Sequence, residues 1–579
     1  MPAASPAAQS AAPTRQARLA LRVAGIALLL FLGAVGLYLV QVDTARAMLD
    51  AAASGACWRM NLLLTLDSRL INAHRDGQSA LHLAVKNDRP EAVRLLMDKG
   101  AEPEVRDRSG RTPLRFAAAS RNAAMLELLL QLGAHPDVRD SHGWTALHHA
   151  VAEKDVETTA LLLRYRAAAN ARTKDGRTPL FLAVDALNTE LMTVLFRHGA
   201  SPDARDGQRH SLLDRAWPDP ADGVARLLLK RGADGDPVYL APALALALKH
   251  GDRALVTDYL RAYPHIDRQS SIREARGATL LHAAVRMKHL ELVQLLVASG
   301  ASVGARDRRP RRPATALDVA VTECPDSTDI VRLLVARKAD ASCENLYLAL
   351  DITFAAGDLQ TVKDYLRRLA YIDRKRDANG RTLLHQAVRA GNLELAGLFL
   401  DSGASVKAWN WKRRTPLHMA VVAERNAKEM VALLIAQKAG LHEEDLYERT
   451  PLYAAAQAGA PPAVLKALLD AGAKVKARCC DYYTPLHRAA QANNLPAVKL
   501  LLKYGADINI GDRNRQIPLH YAAKHGHKEL AVFLLENGSN YRVKDNSGAR
   551  PIRLAIQNGQ KEIVDLLVAH HEKKLKGRK

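Results

Sequence analysis

Histidine is the residue type that first suggests chemistry in this sequence, because 21 copies are present and imidazole serves in acid–base catalysis and metal binding. Neither an H-E-x-x-H helix nor a C-x-x-C pair accompanies them. Seven copies share one context, in which Thr, Ser or Ile is followed two residues later by Leu and then by His: His82, His148, His282, His385, His418, His487 and His520. A context that recurs this regularly indicates a repeated structural position rather than a single reactive centre.

Other sequence motifs of catalysis and cofactor binding are absent. The chain has no phosphate-binding G-x-x-x-x-G-K-[ST] loop and no G-x-S-x-G nucleophile elbow. Its five cysteines, Cys57, Cys324, Cys343, Cys479 and Cys480, lack the even spacing of a disulfide framework. The sequence therefore predicts a protein without enzymatic activity, metal or cofactor.

Three short polar segments are rich in Trp, Tyr and Arg, which are the residue types enriched in binding hot spots. We predict that they form one partner-binding patch, made by Arg306, Arg308, Arg309, Arg311, Arg312, Trp409, Trp411, Lys412, Arg413, Tyr482 and Tyr483. The simpler alternative is that the arginines form solvated edges and that Trp409 packs on the next loop.

The elements that must position these residues come from an internal repeat of about 33 residues. Aligned on Thr415, the units have an apolar residue at the third position throughout, and Ala at the sixth position in all but one, where Thr353 stands. The units begin at intervals of 31 to 37 residues, at positions 46, 79, 112, 145, 178, 211, 242, 279, 315, 348, 382, 415, 450, 484, 517 and 550.

Each recurring residue has a meaning for helix formation. A Thr at the unit start is a good N-cap, and Pro at the next position has no N–H to leave unsatisfied. The apolar third residue and the sixth-position Ala fall on one face of this first helix, so Ala420 is predicted buried and Glu424 exposed in the same helix. A second apolar run, such as 91–100, ends in a Gly suited to a left-handed C-cap. A polar stretch such as 105–110 then turns back to the next unit.

This pattern resembles the ankyrin repeat family over about residues 46–572. The resemblance implies an all-α repeat solenoid of about 16 helix-turn-helix units with β-hairpin fingers, whose fingers and first helices form a concave surface that typically binds proteins. It also implies that the fourth-position histidine forms a structural hydrogen bond between neighbouring repeats. The three polar segments would then lie in fingers, with Trp411 and Tyr482 projecting the same way and Arg413 occupying a position that is often Gly.

Two units depart from the consensus together. Residues 251–268 and 357–374 resemble each other and lack the T-P-L-H start, which is typical of an internal duplication. We therefore predict sub-stacks 46–235, 236–342 and 343–572 within a solenoid that spans 43–572, followed by a basic tail at 573–579.

The N-terminal region contains twenty uncharged residues, 23–42, which are long enough to span a bilayer as a helix. The preceding residues 1–22 carry three Arg and no acidic residue, and their composition is typical of disorder. This asymmetry predicts a transmembrane signal-anchor helix with a cytoplasmic N-terminus and extracytoplasmic repeats, in the periplasm if the source is bacterial. Ala45 and Ala47 also form an A-x-A cleavage pattern, so a cleaved, exported soluble protein is the alternative.

The chain is strongly basic, with 83 Lys and Arg against 61 Asp and Glu and a formal net charge of +22. Such a charge favours acidic partners. The function predicted from the sequence is a membrane-tethered scaffold or adaptor for partner proteins that carry acidic patches. The alternative is electrostatic binding of nucleic acid or anionic lipid by one basic face, which requires the cations to lie in a single stripe.

Overall fold

Amphipathic helices of about two turns dominate the structure, because each unit encodes two apolar stripes separated by a turn. The computed structural model describes residues 22–24, 26–27, 43–216, 222–271, 276–309, 313–369 and 371–576. Its first helices are Thr44–Ser54, Ala80–Lys86, Pro113–Ala119, Ala146–Ala152, Pro179–Asp185, Leu212–Ala216, Pro237–Lys249, Leu280–Arg286, Ala316–Glu323, Cys343–Ala355, Leu383–Ala390, Pro416–Ala420, Pro451–Gln457, Pro485–Gln491, Pro518–His525 and Pro551–Gln557.

Each first helix is followed by a second helix that packs against it. The second helices are Cys57–Leu66, Pro90–Asp98, Ala123–Gln131, Val156–Arg164, Thr189–Arg197, Asp222–Lys230, Arg253–Ala262, Leu290–Ala298, Thr328–Ala336, Leu359–Arg368, Leu393–Asp401, Ala427–Ala436, Pro462–Asp470, Leu495–Lys503, Lys528–Glu536 and Lys561–Lys576. Between residues 43 and 576, the described part of the chain also contains the 3₁₀ turns Ser68–Asn72 and Ile372–Arg374 and the strands His74–Arg75 and Gln78–Ser79.

The chain divides into two compact bodies, Met1–Pro264 and His265–Lys579. Within each, first helices pack on the first helices of the next pair, and second helices pack on second helices. The described part of the chain is thus an all-α repeat solenoid, as predicted. The finer sub-stacks 46–235, 236–342 and 343–572 stay a prediction.

The core of each unit lies between the helices, at the positions that the repeat pattern marks. Every sixth-position residue from Ala51 to Ala555 is buried, and Ala420 is fully so. Thr353, the exception in sequence, is also fully buried, and its hydroxyl donates to the Ala349 carbonyl at 2.7 Å. The third-position residues are likewise buried except Ile552 in the last unit, which is half-buried. A small residue at the sixth position lets the neighbouring first helix approach closely.

The fourth-position histidines link neighbouring units through a pair of hydrogen bonds. In the unit that begins at Thr415, Nδ1 of His418 accepts the Thr415 backbone N–H at 3.2 Å, and Nε2 donates to the Arg449 carbonyl at 2.8 Å. The same pair recurs at the six other histidines, with Nε2 to carbonyl distances of 2.8–3.3 Å. The predicted structural role of these residues is confirmed.

Burial keeps these imidazoles neutral. Desolvation lowers the pKa of His148, His385 and His487 to about 4, and it outweighs the opposing effect of the carbonyl that each Nε2–H contacts. The neutral tautomer with hydrogen on Nε2 is the form that accepts on one side and donates on the other.

Aspartate replaces histidine where the following unit has no finger. Asp318 accepts the backbone N–H of Thr315 at 2.9 Å on one oxygen and that of Ser342 at 3.0 Å on the other. Asp214 does the same for Ser211 and Asp236. In both cases the following unit begins with a helix of 13 residues, whose N-terminus offers free N–H groups. An acceptor side chain is therefore required there in place of a donor.

The two units that contain 251–268 and 357–374 resemble each other in structure as well as in sequence. Their second helices each have ten residues, and each carries a buried tyrosine whose hydroxyl donates to a carbonyl 26 residues earlier. Tyr259 reaches Ala233 at 2.7 Å, and Tyr365 reaches Ala339 at 3.1 Å.

The structure corrects three local predictions. β-Hairpin pairing is formed among the described residues by His74–Arg75 with Gln78–Ser79, and the other fingers are tight turns with at most a single bridge. Helix Pro416–Ala420 ends before Glu424, which is exposed but lies in a loop. The last helix continues to Lys576, into the segment predicted as a tail.

The N-terminal predictions lie almost entirely outside the described residues. Of 1–22 only residue 22 is described, and of 23–42 only residues 23, 24, 26 and 27. Across the described ranges, no helix combines the length and apolar character needed to cross a bilayer.

Overpacking at a sixth-position Ala should destabilise the stack. Ala522 is fully buried in helix Pro518–His525, whereas Lys524 in the same helix is exposed. We expect Ala522→Leu to lower the free energy of unfolding by about 1–3 kcal/mol. Lys524→Ala should change it by less than about 0.5 kcal/mol. Urea melts of the two variants make the comparison, and equal effects would contradict the helical register.

The histidine bridges predict a stability that falls in mild acid. Because the folded-state pKa of His385 is about 4 and its ordinary value is 6.5, the unfolded chain binds more protons between these values. Stability should be fully present above pH 6.5 and decline as the pH falls towards 4. His385→Gln should reduce the slope of the unfolding free energy against pH by up to about 1.4 kcal/mol per pH unit, which corresponds to one bound proton.

The measurement is the free energy of unfolding in urea from pH 5 to 7.5. His442→Gln is the matched control, since His442 is exposed and lies outside the bridging position. If His385→Gln and His442→Gln have the same effect on the slope, the buried bridge does not control this dependence.

Candidate protein-binding surface

The finger turn, where a unit has one, is the segment directly before the unit start and usually has five residues. Its first residue is usually Asp, whose side chain accepts the N–H groups of the third and fifth residues, as Asp377 does for Asn379 and Arg381 at 2.8 and 2.9 Å. The fourth residue has a positive φ, such as 73° at Gly380. Arg413 holds the same position at 56°, so the absence of Gly does not change the shape of that turn.

Neighbouring finger turns are linked by a backbone hydrogen bond from the second residue of one turn to the third residue of the turn before. The N–H of Trp411 donates to the Asn379 carbonyl at 3.0 Å, and that of Leu446 donates to Lys412 at 3.1 Å. These bonds define which finger residues are equivalent along the stack.

Trp411 and Tyr482 therefore do not occupy equivalent positions, and the predicted equivalence of the two residues is wrong. Trp411 is the second residue of its turn, whereas Tyr482 is the fourth residue, with φ of 60°. The counterpart of Trp411 in the later finger is Cys480, and the counterpart of Tyr482 is Arg413. Both turns have five residues and end directly before the unit start, so the offset of two positions can be counted back from Thr415 and Thr484.

The arginine segment is occupied by contacts within the chain. Arg309 lies between Asp307, at 2.7 Å from its Nε, and Glu323. Arg308 donates to Gln269 at 2.5 Å, and Arg306 lies 3.7 Å from Asp340. The predicted contacts Arg311 and Arg312 lie outside the described residues. The solvated-edge alternative fits the described arginines better than a free binding patch does.

Position along the chain also separates this segment from the aromatic fingers. Only six residues, 337–342, connect helix Thr328–Ala336 to helix Cys343–Ala355, and no finger turn precedes the latter. The finger turn at Asp307 is thus followed by a unit without one, so the single patch predicted from the sequence is interrupted.

Trp411 contacts the preceding finger with part of its indole and exposes the rest. A Cβ added at Gly380 would lie 2.6 Å from the indole ring, and Nε1–H donates to the Ala378 carbonyl at 3.2 Å. The side chain is nevertheless 64% exposed. Trp411 is therefore oriented by Gly380 and keeps a free apolar surface.

Trp409, Lys412 and Arg413 are all exposed beside it. The Arg413 guanidinium lies 5.2 Å from the Trp409 ring centroid, and the Trp409 carbonyl accepts from Arg376 at 2.5 Å. The ring of Trp409 is held by its own finger, and the alternative that it packs on the next finger finds no support among the described contacts.

Tyr482 and Tyr483 differ in role although they are adjacent. Tyr482 is exposed, with Arg478 5.5 Å from its ring. Tyr483 is half-buried beneath Arg488, at 4.0 Å, and its hydroxyl accepts from Tyr521 at 2.9 Å. Burial, with hydrogen bonds to Asp512 and Tyr483, raises the pKa of Tyr521 far above its usual range. Tyr483 thus belongs to a packed polar cluster.

A groove of about 670 Å³ opens between two units beside Trp411. Its origin is the loop 421–426, six residues that connect Pro416–Ala420 to Ala427–Ala436, where the neighbouring connections have two to four. Asn426 donates to the Gly391 carbonyl at 2.8 Å, and a Cβ on Gly391 would meet the Arg425 side chain at 2.8 Å. The enlarged loop therefore packs against Gly391 of the preceding repeat and forms one wall of the groove.

The lining of the groove combines apolar and cationic side chains. Trp411, Met419 and Val422 supply apolar surface. The charged lining residues are Arg381, Arg389, Lys412, Arg414, Glu424 and Arg425.

Sequence reasoning missed part of this surface. Leu446 and Tyr447, on the next finger, are 56% and 53% exposed, and Val422 in the loop is also exposed. The signal that could have located the groove is the interval of 35 residues between units 415 and 450, which places extra residues in this unit. Within the described ranges, no cluster of His, Cys, Asp or Glu is arranged to hold a metal ion.

Comparison with known proteins agrees with this architecture. The family model for ankyrin repeats (three copies) matches residues 48–140, 133–206, 244–345, 350–442, 421–512 and 510–577. These stretches cover most of the chain.

Several curated proteins are similar over part of the chain. Inversin of Canis lupus familiaris is 34% identical over 139 residues, which are 24% of this chain and 13% of inversin. The nuclear factor NF-kappa-B p105 subunit of Gallus gallus is 31% identical over 210 residues, 35% of this chain and 21% of that protein. B-cell lymphoma 3 protein of Homo sapiens is 36% identical over 144 residues, 24% of this chain and 31% of that protein.

The chain thus spans less than a third of the length of each of these relatives. From the matched ranges, the helix pairs, the histidine bridges and the finger turns, we conclude that the chain belongs to the ankyrin repeat family.

Proposed function

We propose that this protein is a membrane-tethered scaffold that binds partner proteins through the finger and first-helix surface around Trp411. The observation that carries this proposal is the run of exposed apolar side chains on three successive fingers. Trp411, Leu446, Tyr447 and Tyr482 are each more than half exposed, although their type favours burial.

Large apolar groups on neighbouring turns are typical of interaction sites, because water contact with a contiguous apolar patch is unfavourable. Trp and Tyr are also the residues that dominate binding hot spots. Ankyrin repeats are in general non-catalytic modules that present an extended binding surface. The finger surface of this chain is the equivalent surface.

The competing proposal is electrostatic binding of nucleic acid or anionic lipid. It requires cations to continue from one finger to the next, so that a polyanion contacts many of them. The finger after Trp411 instead carries exposed Glu443, Glu444 and Glu448, which interrupt a basic stripe. This pattern favours a protein partner over a polyanion.

Membrane tethering by residues 23–42 is part of the proposal and rests on their uncharged sequence. The first unit adds support, since Trp58, Leu62 and Leu66 are exposed at four-residue spacing on helix Cys57–Leu66, with Trp58 74% exposed. Fifteen residues separate Val42 from Trp58. An apolar face with Trp, this close to a spanning helix, is suited to the membrane–water interface.

Truncation of Trp411 should weaken partner binding more than it weakens folding. Partners are first captured from native membranes with the full-length chain, and one purified partner is then titrated. We expect Trp411→Ala to reduce the affinity by roughly 2 kcal/mol or more. Because the indole also contacts Gly380, the urea midpoint should fall slightly.

Leu359→Ala is the matched control, since Leu359 is an exposed apolar residue at the start of a second helix. It should leave the affinity unchanged. A Trp411→Ala, Tyr482→Ala double variant that folds and binds the same partner with unchanged affinity would contradict the proposed surface.

The tether predicts a single-pass topology. A reporter that is active only outside the cytoplasm, fused after Lys579, should be active and should fractionate with membranes. An inactive reporter would reverse the orientation. A soluble, shortened chain would show cleavage near Ala45 and Ala47 and favour the exported form.

A further inference from the structure

We propose that the groove between Arg389 and Arg425 binds a short acidic segment of the partner protein, with an apolar side chain of that segment placed against Trp411. This inference rests on the proposed function and specifies its ligand chemistry. It is carried by the distribution of satisfied and unsatisfied charges around the groove.

Two of the five cations in the lining are neutralised by carboxylates of the chain. Arg381 donates to Asp377 at 2.7 Å, and Arg414 donates to Asp445 at 3.3 Å. Both acceptors are buried or nearly so, and backbone N–H groups also donate to each of them. Asp445 also pairs with Arg449 at 2.6 Å, so both carboxylates are engaged by residues other than the remaining cations of the groove.

The other three cations, Arg389, Lys412 and Arg425, form no ion pair with any residue in the described ranges, and all three are exposed. Glu424 is the acidic residue of the lining. An excess of unpaired positive charge therefore faces the groove on two sides, from the end of helix Leu383–Ala390 and from the loop 421–426. A carboxylate placed between them would be attracted from both sides.

The apolar lining residues belong to the same groove as these three cations. Met419 is half-buried, Val422 is exposed, and the surface of Trp411 that does not contact Gly380 is free. A ligand that buries an aliphatic or aromatic group here would remove water from these three side chains. The arrangement matches a peptide in which Asp or Glu lies next to an apolar residue.

The extent of the basic region limits the length of the acidic ligand. Along the fingers it is followed by Glu443, Glu444 and Glu448, which are all exposed. A polyanion that continued past the groove would meet this acidic finger, whereas a short segment would end before it. A peptide of a few acidic residues is therefore favoured over nucleic acid.

The test is a peptide-display selection with a random twelve-residue library on the full-length chain. We expect enrichment of peptides that combine Asp or Glu with an adjacent apolar residue. Affinities of one selected peptide and of its Asn/Gln counterpart are then measured by fluorescence anisotropy for the wild type, for three charge-reversal variants and for Trp411→Ala. A 20-base-pair DNA duplex is titrated in parallel.

Lys412→Glu and Arg425→Glu should each weaken binding of the acidic peptide at least tenfold and abolish its preference over the Asn/Gln counterpart. Lys428→Glu makes the same charge change in the same unit, but on the second helix Ala427–Ala436, and should have little effect. Urea midpoints of all variants verify that they are folded.

The outcomes separate this inference from the proposed function. Peptides without acidic enrichment that still depend on Trp411 would overturn the inference and leave the binding surface intact. Selected peptides that are insensitive to Trp411→Ala as well as Lys412→Glu would overturn both. DNA that binds more tightly than the peptide and loses affinity in Lys412→Glu would replace the acidic segment by a polyanion.

Discussion

The hydrogen bond from a buried, neutral imidazole to the carbonyl of the next unit is the interaction on which the spacing of the stack depends. Nδ1 of His385 accepts from Thr382 within its own unit, and Nε2 donates to Arg414 of the next at 3.0 Å. One rigid ring thus fixes the distance between the Thr382 N–H and the Arg414 carbonyl, which belong to neighbouring units. The apolar third residue and the small sixth residue supply most of the burial, but they are tolerant of sliding. The directional bond is not, because geometry and tautomer must both be correct.

The same constraint explains why the two units that begin with 13-residue helices still belong to the stack, although their sequences depart from the repeat pattern. Where the following finger carbonyl is missing, the neighbouring group is the N-terminus of a 13-residue helix, which presents donors instead of an acceptor. Asp214 and Asp318 meet that reversed polarity with a carboxylate. A side chain still links the two neighbouring units, but here it accepts a hydrogen bond from the next unit instead of donating one. The replacement of His by Asp in the sequence therefore accompanies the replacement of a finger by a helix N-terminus in the structure.

The finger tips lie outside this constraint and are free to vary. The turn is closed by its first and fifth residues, and the link to the preceding finger uses only backbone atoms at the second and third positions. Side chains at the second, third and fourth positions can therefore be Trp, Lys or Arg in one unit and Leu, Tyr or Glu in the next. The loop 421–426 shows the same freedom on the first-helix side, since Gly391 accommodates it without disturbing Ala420 or His418. A binding groove can be formed there because the core does not depend on these residues.

The sequence by itself determined the repeat, the burial of residues such as Ala420 and Leu417, and the structural role of His418. These features are set by local spacing and recur many times, so each copy supports the others. Only the tertiary structure decided which exposed-looking residues are available. Arg309 is neutralised by Glu323, and Tyr483 is covered by Arg488, through contacts that depend on how the chain packs. Trp411 lies four residues before Thr415 and Tyr482 two residues before Thr484, so their different positions could be counted in the sequence, whereas the pairing of backbone groups between fingers comes from the structure. Side-chain partners 14 to 38 residues apart are selected by three-dimensional proximity, and no local pattern encodes that choice.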